Sequence, residues 1–118
     1  MHTLPQEFEV WYIIPAVRRE IAKCLINEHN ATYEKVGKIL GISKAAVSQY
    51  MKGKRAAKIN LPQQINTKIS ASCKLLSQEK VSATEEITKI LDFMREKKLT
   101  YELIGKDETK PPAGIGLS

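Results

Sequence analysis

A glycine-centred tripeptide between two short apolar repeats constrains the fold of this chain more than any other feature. The tripeptide is Gly41-Ile42-Ser43. Before it, one helical face carries Val36, Ile39 and Leu40, and after it another carries Val47, Tyr50 and Met51. Gly41 can adopt the positive φ that ends a helix, Ile42 can point inward, and Ser43 can cap the next helix through its hydroxyl. With an N-cap expected at Thr32 and a stop at Gly53, the pattern predicts a helix-turn-helix.

The stretch from Thr32 to Arg55 resembles the helix-turn-helix of phage-repressor-type (Xre-like) proteins. Gly41 matches the turn glycine of that family. Gly37 stands where the family usually has alanine, at the point where the second helix is expected to pass closest. The other matching residues are Ile42, Val47 and the recognition-helix segment Ala46–Tyr50. Upstream, residues 4–20 resemble the opening of a small, mainly archaeal group of predicted transcriptional regulators, and beyond Arg55 the resemblance is weak.

Basic residues are concentrated in this motif and just after it. Between Glu34 and Lys58 the chain has seven basic residues and one acidic residue, whereas the rest has twelve of each. The formal net charge of +6 therefore belongs entirely to the motif and the residues just after it. A basic patch of this kind is typical of a protein that binds a polyanion.

The resemblance implies a sequence-specific regulator of transcription that binds double-stranded DNA through the helix from Ser43 to Met51. Its base-reading side chains would be Lys44, Ala45, Ser48, Gln49 and Lys52. Its phosphate contacts would come from Thr32, Tyr33, Lys35, Lys38, Ser43, Lys54 and Arg55. One such helix reads few base pairs, so a homodimer on a palindromic operator is expected. The dimer surface has two candidates, the aromatic N-terminal segment and the two C-terminal helices.

The periodicity predicts an all-α fold of about five helices, with a kinked N-terminal helix and two C-terminal helices, and the resemblance implies that this fold is lambda-repressor-like. Apolar residues starting with Val10 and Ile14 mark a first helix that Pro15 must kink or break into 5–13 and 15–28. A strand at Phe8–Ile14 is the alternative. Two further helices follow, one from near Pro62 with an apolar face that includes Ile65 and Ile69, and one opened by a capping box at Ser82.

We divide the chain into a DNA-binding domain at residues 1–60, with its motif at 32–55, and a C-terminal helical extension at 61–104 that is a candidate for dimerisation. The last piece, 105–118, has the composition of a disordered tail.

Several other classes of function find no support in the sequence. The sequence contains no catalytic set of residues and no phosphate-binding loop, so we do not expect an enzyme. It contains no signal peptide and no membrane-spanning run, so we expect a cytoplasmic location. Two cysteines and two histidines have no standard zinc spacing, so Cys24 and Cys73 are expected to be buried thiols, with no metal, cofactor or small-molecule ligand. Two alternatives to a regulator use the same fold: a protein-interaction or coactivator module, and an antitoxin-like DNA binder.

Overall fold

Helices make up all the regular structure in the computed structural model, which describes residues 4–53, 59–100 and 103. None of these residues lies in a strand. The elements in order are α1 (Pro5–Phe8), a π-helical turn (Glu9–Ile13), α2 (Ile14–His29), α3 (Tyr33–Leu40), α4 (Lys44–Met51), α5 (Gln63–Ser77) and α6 (Ala83–Glu96). The predicted all-α fold with about five helices is confirmed, since α2 to α6 are the five longer helices of this part of the chain.

The N-terminal helical segment changes its winding just before Pro15. The backbone N–H of Ile14 donates to the carbonyl oxygen of Glu9, five residues back, and this bond closes the π-helical turn. Proline has no backbone N–H to donate, and a π turn is one way in which a helix absorbs such an interruption. The expected kink is therefore a π turn upstream of the proline, and the alternative of a strand at Phe8–Ile14 is wrong.

The π turn also decides which side chains of this segment face the core. Phe8 and Tyr12 are buried, with ring centroids 5.0 Å apart, whereas Val10 is 58% exposed. Val10 was expected to continue the inward stripe of Ile14. A π turn contains more residues than an α turn, so it shifts the register of everything upstream. The buried rings consequently fill the core, and the surface of this segment presents Leu4 and Val10 instead.

The two C-terminal helices follow their predicted apolar stripes. In α5 the buried side chains are Ile65, Ile69, Ser72, Cys73 and Leu76. In α6 the predicted inward residues Ile87, Ile90, Leu91 and Met94 are all buried. The Ser82 hydroxyl accepts a hydrogen bond from the Glu85 backbone N–H at 3.1 Å and so caps α6 as expected. After α6, Leu99 and Thr100 are helical and buried.

All the longer helices contribute to one hydrophobic core. Residues of this core that are fully buried include Val17 and Ile21 of α2, Val36 of α3, Val47 of α4, Ile65 of α5 and Met94 of α6. The predicted boundary between residues 1–60 and 61–104 therefore crosses a continuous core. The predicted disordered tail, 105–118, lies outside the described residues.

Two polar links join distant parts of the chain around this core. The Arg95 guanidinium of α6 binds both carboxylate oxygens of the buried Glu9, with N···O distances of 2.7 and 3.1 Å. Hydrogen bonding to Glu9 raises the pKa of Arg95. Between α5 and α6, the Ser72 hydroxyl donates to the buried carboxylate of Glu86 at 2.8 Å. Both carboxylates are thus satisfied, as buried charges must be.

Candidate nucleic-acid interface

The turn between α3 and α4 has the conformation that its residues predict. Gly41 ends α3 with φ of 69°, in the left-handed region. The backbone N–H of Ile42 donates to the Gly37 carbonyl at 2.9 Å, and the Ile42 side chain is half-buried against the core. The Ser43 hydroxyl accepts from the Ala46 N–H at 3.0 Å, and the Thr32 hydroxyl does the same for α3. Both N-caps are confirmed, and they fix the start of each helix.

Gly37 is the point of closest approach within the motif. A Cβ added at Gly37 would lie 2.7 Å from the carbonyl oxygen of Ile42 and 3.7 Å from the backbone nitrogen of Lys44. The small residue is thus required by the turn itself, and the start of α4 lies further away. This differs from the expectation that the second helix passes closest at this position.

The inward face of α4 holds this helix firmly against the rest of the molecule. Ala46, Val47 and Tyr50 are buried, and Val47 belongs to the common core. Met51 was expected inward but is only half-buried, whereas Ala46 is buried.

The outward face of α4 carries the predicted base-reading residues together. Lys44, Ala45, Gln49 and Lys52 are exposed, and Ser48 is half-buried. At 100° per residue these five positions fall within an arc of about 140°. The arc is cationic and polar, with one small apolar residue, Ala45. The residues that the sequence predicts to contact bases therefore lie on one surface.

The predicted phosphate-contacting residues other than Lys35 divide into three groups. Lys38 is exposed, and Tyr33 packs partly against the core. Thr32 and Ser43 accept capping hydrogen bonds through their hydroxyl oxygens, which leaves the hydroxyl protons to donate elsewhere. Lys54 and Arg55 lie outside the described residues.

Lys35 has a partner within the protein. Its ammonium group is ion-paired with Glu79, in the turn between α5 and α6. The hydrogen bond and charge of Lys35 lower the pKa of Glu79. Both side chains are well exposed, so the pair is worth little in stability. Contact between Lys35 and a phosphate would require Glu79 to be displaced, which makes Lys35 a weaker candidate than Lys38.

The structure brings together one group of side chains that their spacing in the sequence did not reveal. Ligand atoms of Cys24, His29 and Cys73 all lie within 4.8 Å of one another where α2 meets α5. Cys24 and His29 come from the end of α2, whereas Cys73 is far away in sequence. A motif search over short spacings cannot find such a group, and only the packing of α2 on α5 reveals it.

Comparison of the chain with models of protein families, with curated proteins and with solved structures gives no match. None of the helices in the described ranges is both long and apolar enough to cross a bilayer.

Proposed function

We propose that this protein is a sequence-specific regulator of transcription that binds double-stranded DNA with α4 in the major groove. The observation that carries the proposal is the two-sided character of α4. One side is locked into the core through Val47 and Tyr50, and the other presents a cationic and polar arc to solvent. An α-helix with its side chains is about 10–12 Å across, and the major groove of B-DNA, about 12 Å wide, admits an element of this diameter.

The side chains on this arc have the chemistry that distinguishes base pairs. The amide of Gln49 can pair with N6 and N7 of adenine, and the ammonium of Lys44 can donate to O6 and N7 of guanine. Ala45 can contact the methyl group of thymine. We assign these three residues to base recognition, together with Ser48 and Lys52.

Phosphate contacts would orient α4 on the duplex. Lys38 is exposed on α3, which would cross the DNA backbone in a helix-turn-helix complex. The Thr32 and Ser43 hydroxyls stand at helix N-termini, where backbone N–H groups and the helix dipole also favour an anion. The basic residues Lys54 and Arg55 would extend these contacts along the strand. A cytoplasmic location belongs to the same proposal.

A homodimer on a palindromic operator is part of the proposal. One recognition helix reads too few base pairs to select a site in a genome, and paired half-sites about 10 bp apart solve this problem. The exposed Leu4 and Val10, at 60% and 58%, give the N-terminal segment an apolar surface that suits such a contact. Sedimentation of the free protein and of its DNA complex would establish the stoichiometry: two chains on a two-half-site duplex are expected.

The test is fluorescence-anisotropy binding of the whole chain to fragments of its own upstream region, with a scrambled duplex beside them. Binding is measured at low and at physiological salt. Gln49→Ala removes the proposed adenine contact, and Gln64→Ala, an exposed glutamine on α5, is the matched control. Loss of one bidentate base contact is expected to cost about 1–3 kcal/mol.

The expected result is tight binding to one fragment at physiological salt, weakened by Gln49→Ala and unaffected by Gln64→Ala. Equal binding to both duplexes that disappears with salt would leave only release of counterions and would refute sequence-specific regulation. Absence of binding to any duplex would favour the protein-interaction module instead.

A further inference from the structure

Three metal-ligating side chains meet where the end of α2 packs on α5. Cys24 lies in α2 near its C-terminal end, His29 is the last residue of that helix, and Cys73 lies in α5. Their ligand atoms, two thiol sulfurs and an imidazole nitrogen, all lie within 4.8 Å of one another. Packing of α2 on α5 brings the half-buried Cys24 to the buried Cys73, and the exposed His29 adds a third ligand atom beside them.

The separation of these atoms is close to that of a tetrahedral zinc site. With Zn–S bonds near 2.3 Å and Zn–N bonds near 2.0 Å, ligand atoms on a zinc ion are about 3.5–3.8 Å apart. Closing the remaining gap requires movements of about 1 Å or less. Cys73 is fully buried and fixed, whereas Cys24 is half-buried and His29 is exposed, so the two residues on α2 are free to adjust.

We propose that Cys24, His29 and Cys73 bind one zinc ion. Two thiolates and one imidazole are a donor set that Zn²⁺ prefers over harder cations such as Mg²⁺ or Ca²⁺. A carboxylate is also at hand for the fourth position, since Glu28 Oε2 is 3.0 Å from the Cys24 sulfur. Cys24 also lines a surface pocket of about 360 Å³, together with Lys23 and Glu28.

Both cysteines are thiols in the absence of the metal. Burial raises the pKa of Cys24 and of Cys73, and hydrogen bonds to Cys73 and Glu28 raise that of Cys24 further. Binding therefore replaces two thiol protons, which pass to solvent, with two Zn–S bonds. Zinc is not reduced or oxidised in this exchange, so no further reactant is needed.

The position of the site gives it a structural role. His29 is three residues before Thr32, the cap of α3, so the ion would hold the segment that leads into the helix-turn-helix against α5. The site does not depend on DNA binding, and its test requires no DNA.

The test is metal binding by the whole chain, purified under reducing conditions without chelator. Zinc content is measured directly, and Co²⁺ is then titrated in as a spectroscopic probe. His29→Ala removes one ligand from an exposed position and should not disturb the core. Asn27→Ala, at an exposed neighbouring position of α2, is the matched control, and Cys24→Ser tests one sulfur independently.

We expect one equivalent of zinc, and a Co²⁺ complex with thiolate charge-transfer bands and the visible spectrum of tetrahedral cobalt. Since altering a residue that merely supports a ligand costs 10–100-fold, losing His29 or Cys24 itself should lower zinc affinity by about 100-fold or more. Asn27→Ala should bind as the unaltered protein does. Zinc should raise the melting temperature of the unaltered chain and not that of His29→Ala.

Three results would overturn the proposal. The first is substoichiometric zinc with no charge-transfer band in the cobalt titration. The second is unchanged affinity in His29→Ala and Cys24→Ser. The third is a Cys24–Cys73 disulfide in protein purified in parallel without reductant, detected by mass spectrometry without reduction, because a disulfide leaves no thiolate for the metal.

Discussion

Gly37 has no space for a side chain, because the backbone of the following turn occupies the position. An added Cβ would lie 2.7 Å from the Ile42 carbonyl oxygen, a group held in place by the Ile42 N–H bond to Gly37 itself. Gly37→Ala should therefore destabilise the protein, although alanine is the better helix former by about 1 kcal/mol. Overpacking costs about 1–3 kcal/mol, so a net loss of about 1–2 kcal/mol is expected in urea unfolding.

Lys38→Ala is the control for this substitution, because it changes the next residue of the same helix at an exposed position. Its stability should stay within about 0.5 kcal/mol of the unaltered protein. A Gly37→Ala variant that is as stable as the parent would mean that the turn moves away without cost.

Two lysines on the proposed interface should respond differently to substitution. Lys38→Ala removes a phosphate contact, so it should weaken binding to every duplex alike and reduce the slope of log K against log salt by about one. Lys44→Ala removes a base contact, so it should weaken binding to the operator more than to a scrambled duplex. Anisotropy titrations over a range of salt, with Lys74→Ala on α5 as the control, separate these effects. Identical responses of the two variants would contradict the assignment of their roles.

Single residues differ in how far the sequence alone determines their place. The caps Thr32 and Ser43 and the left-handed Gly41 could be predicted, because their roles depend on neighbours within a few residues. The inward position of Ala46 could not, since it depends on how closely α4 approaches the rest of the molecule. The meeting of Cys24 with Cys73 depends likewise on which sides of α2 and α5 face each other.

Among the helices, α4 depends on one capping residue for its N-terminus. Removing the Ser43 hydroxyl leaves the Ala46 N–H without its partner, so Ser43→Ala should cost about 1 kcal/mol. Ser82→Ala removes the corresponding cap of α6, away from α4, and should cost a similar amount. Chemical denaturation checks both values.

The DNA affinity of the capping variants tests the place of α4 in the interface. Ser43→Ala should lower operator affinity and Ser82→Ala should not. Ser43→Asp keeps an oxygen that can cap the helix, so its stability should be retained, but its negative charge should repel the DNA backbone. Operator binding by Ser43→Asp equal to that of the parent would remove the start of α4 from the proposed contact surface.

Helices with a clear apolar period could be predicted as elements, and α3, α4, α5 and α6 are all found where their stripes lie. The π-helical turn at Glu9–Ile13 could not be predicted in the same way. Pro15 signals that a helix must deform, but the way it deforms depends on what the upstream residues pack against. Here they pack so that Phe8 and Tyr12 are buried and Glu9 accepts a hydrogen bond from Arg95. These contacts depend on the fold as a whole.

At the scale of the whole molecule, the packing of α2 joins the helix-turn-helix to the C-terminal helices. α2 contacts both α4 and α5, and its buried residues Val17 and Ile21 belong to the same core as Ile65 and Ile69. Because Arg95 also closes over Glu9, the C-terminal extension covers part of the N-terminal segment. A change in the packing of α5 and α6 would therefore alter the packing of α2, which supports α4.

The shared core predicts that residues 1–60 do not fold alone. Without α5 and α6, the apolar face of α2 and the carboxylate of Glu9 would be exposed. Even a well-packed domain of this size buries only about 60% of the surface of its unfolded chain and is marginally stable. We expect the fragment to show weak helical circular dichroism and no cooperative melting, whereas the full chain should unfold in one transition seen identically by far- and near-ultraviolet signals. A 1–104 chain, which lacks only the tail of disorder-prone composition, should match the full chain in stability. If the 1–60 fragment instead melted cooperatively near the temperature of the full chain, the helix-turn-helix would be an independent domain, and the contacts between α2 and α5 would contribute little to its stability.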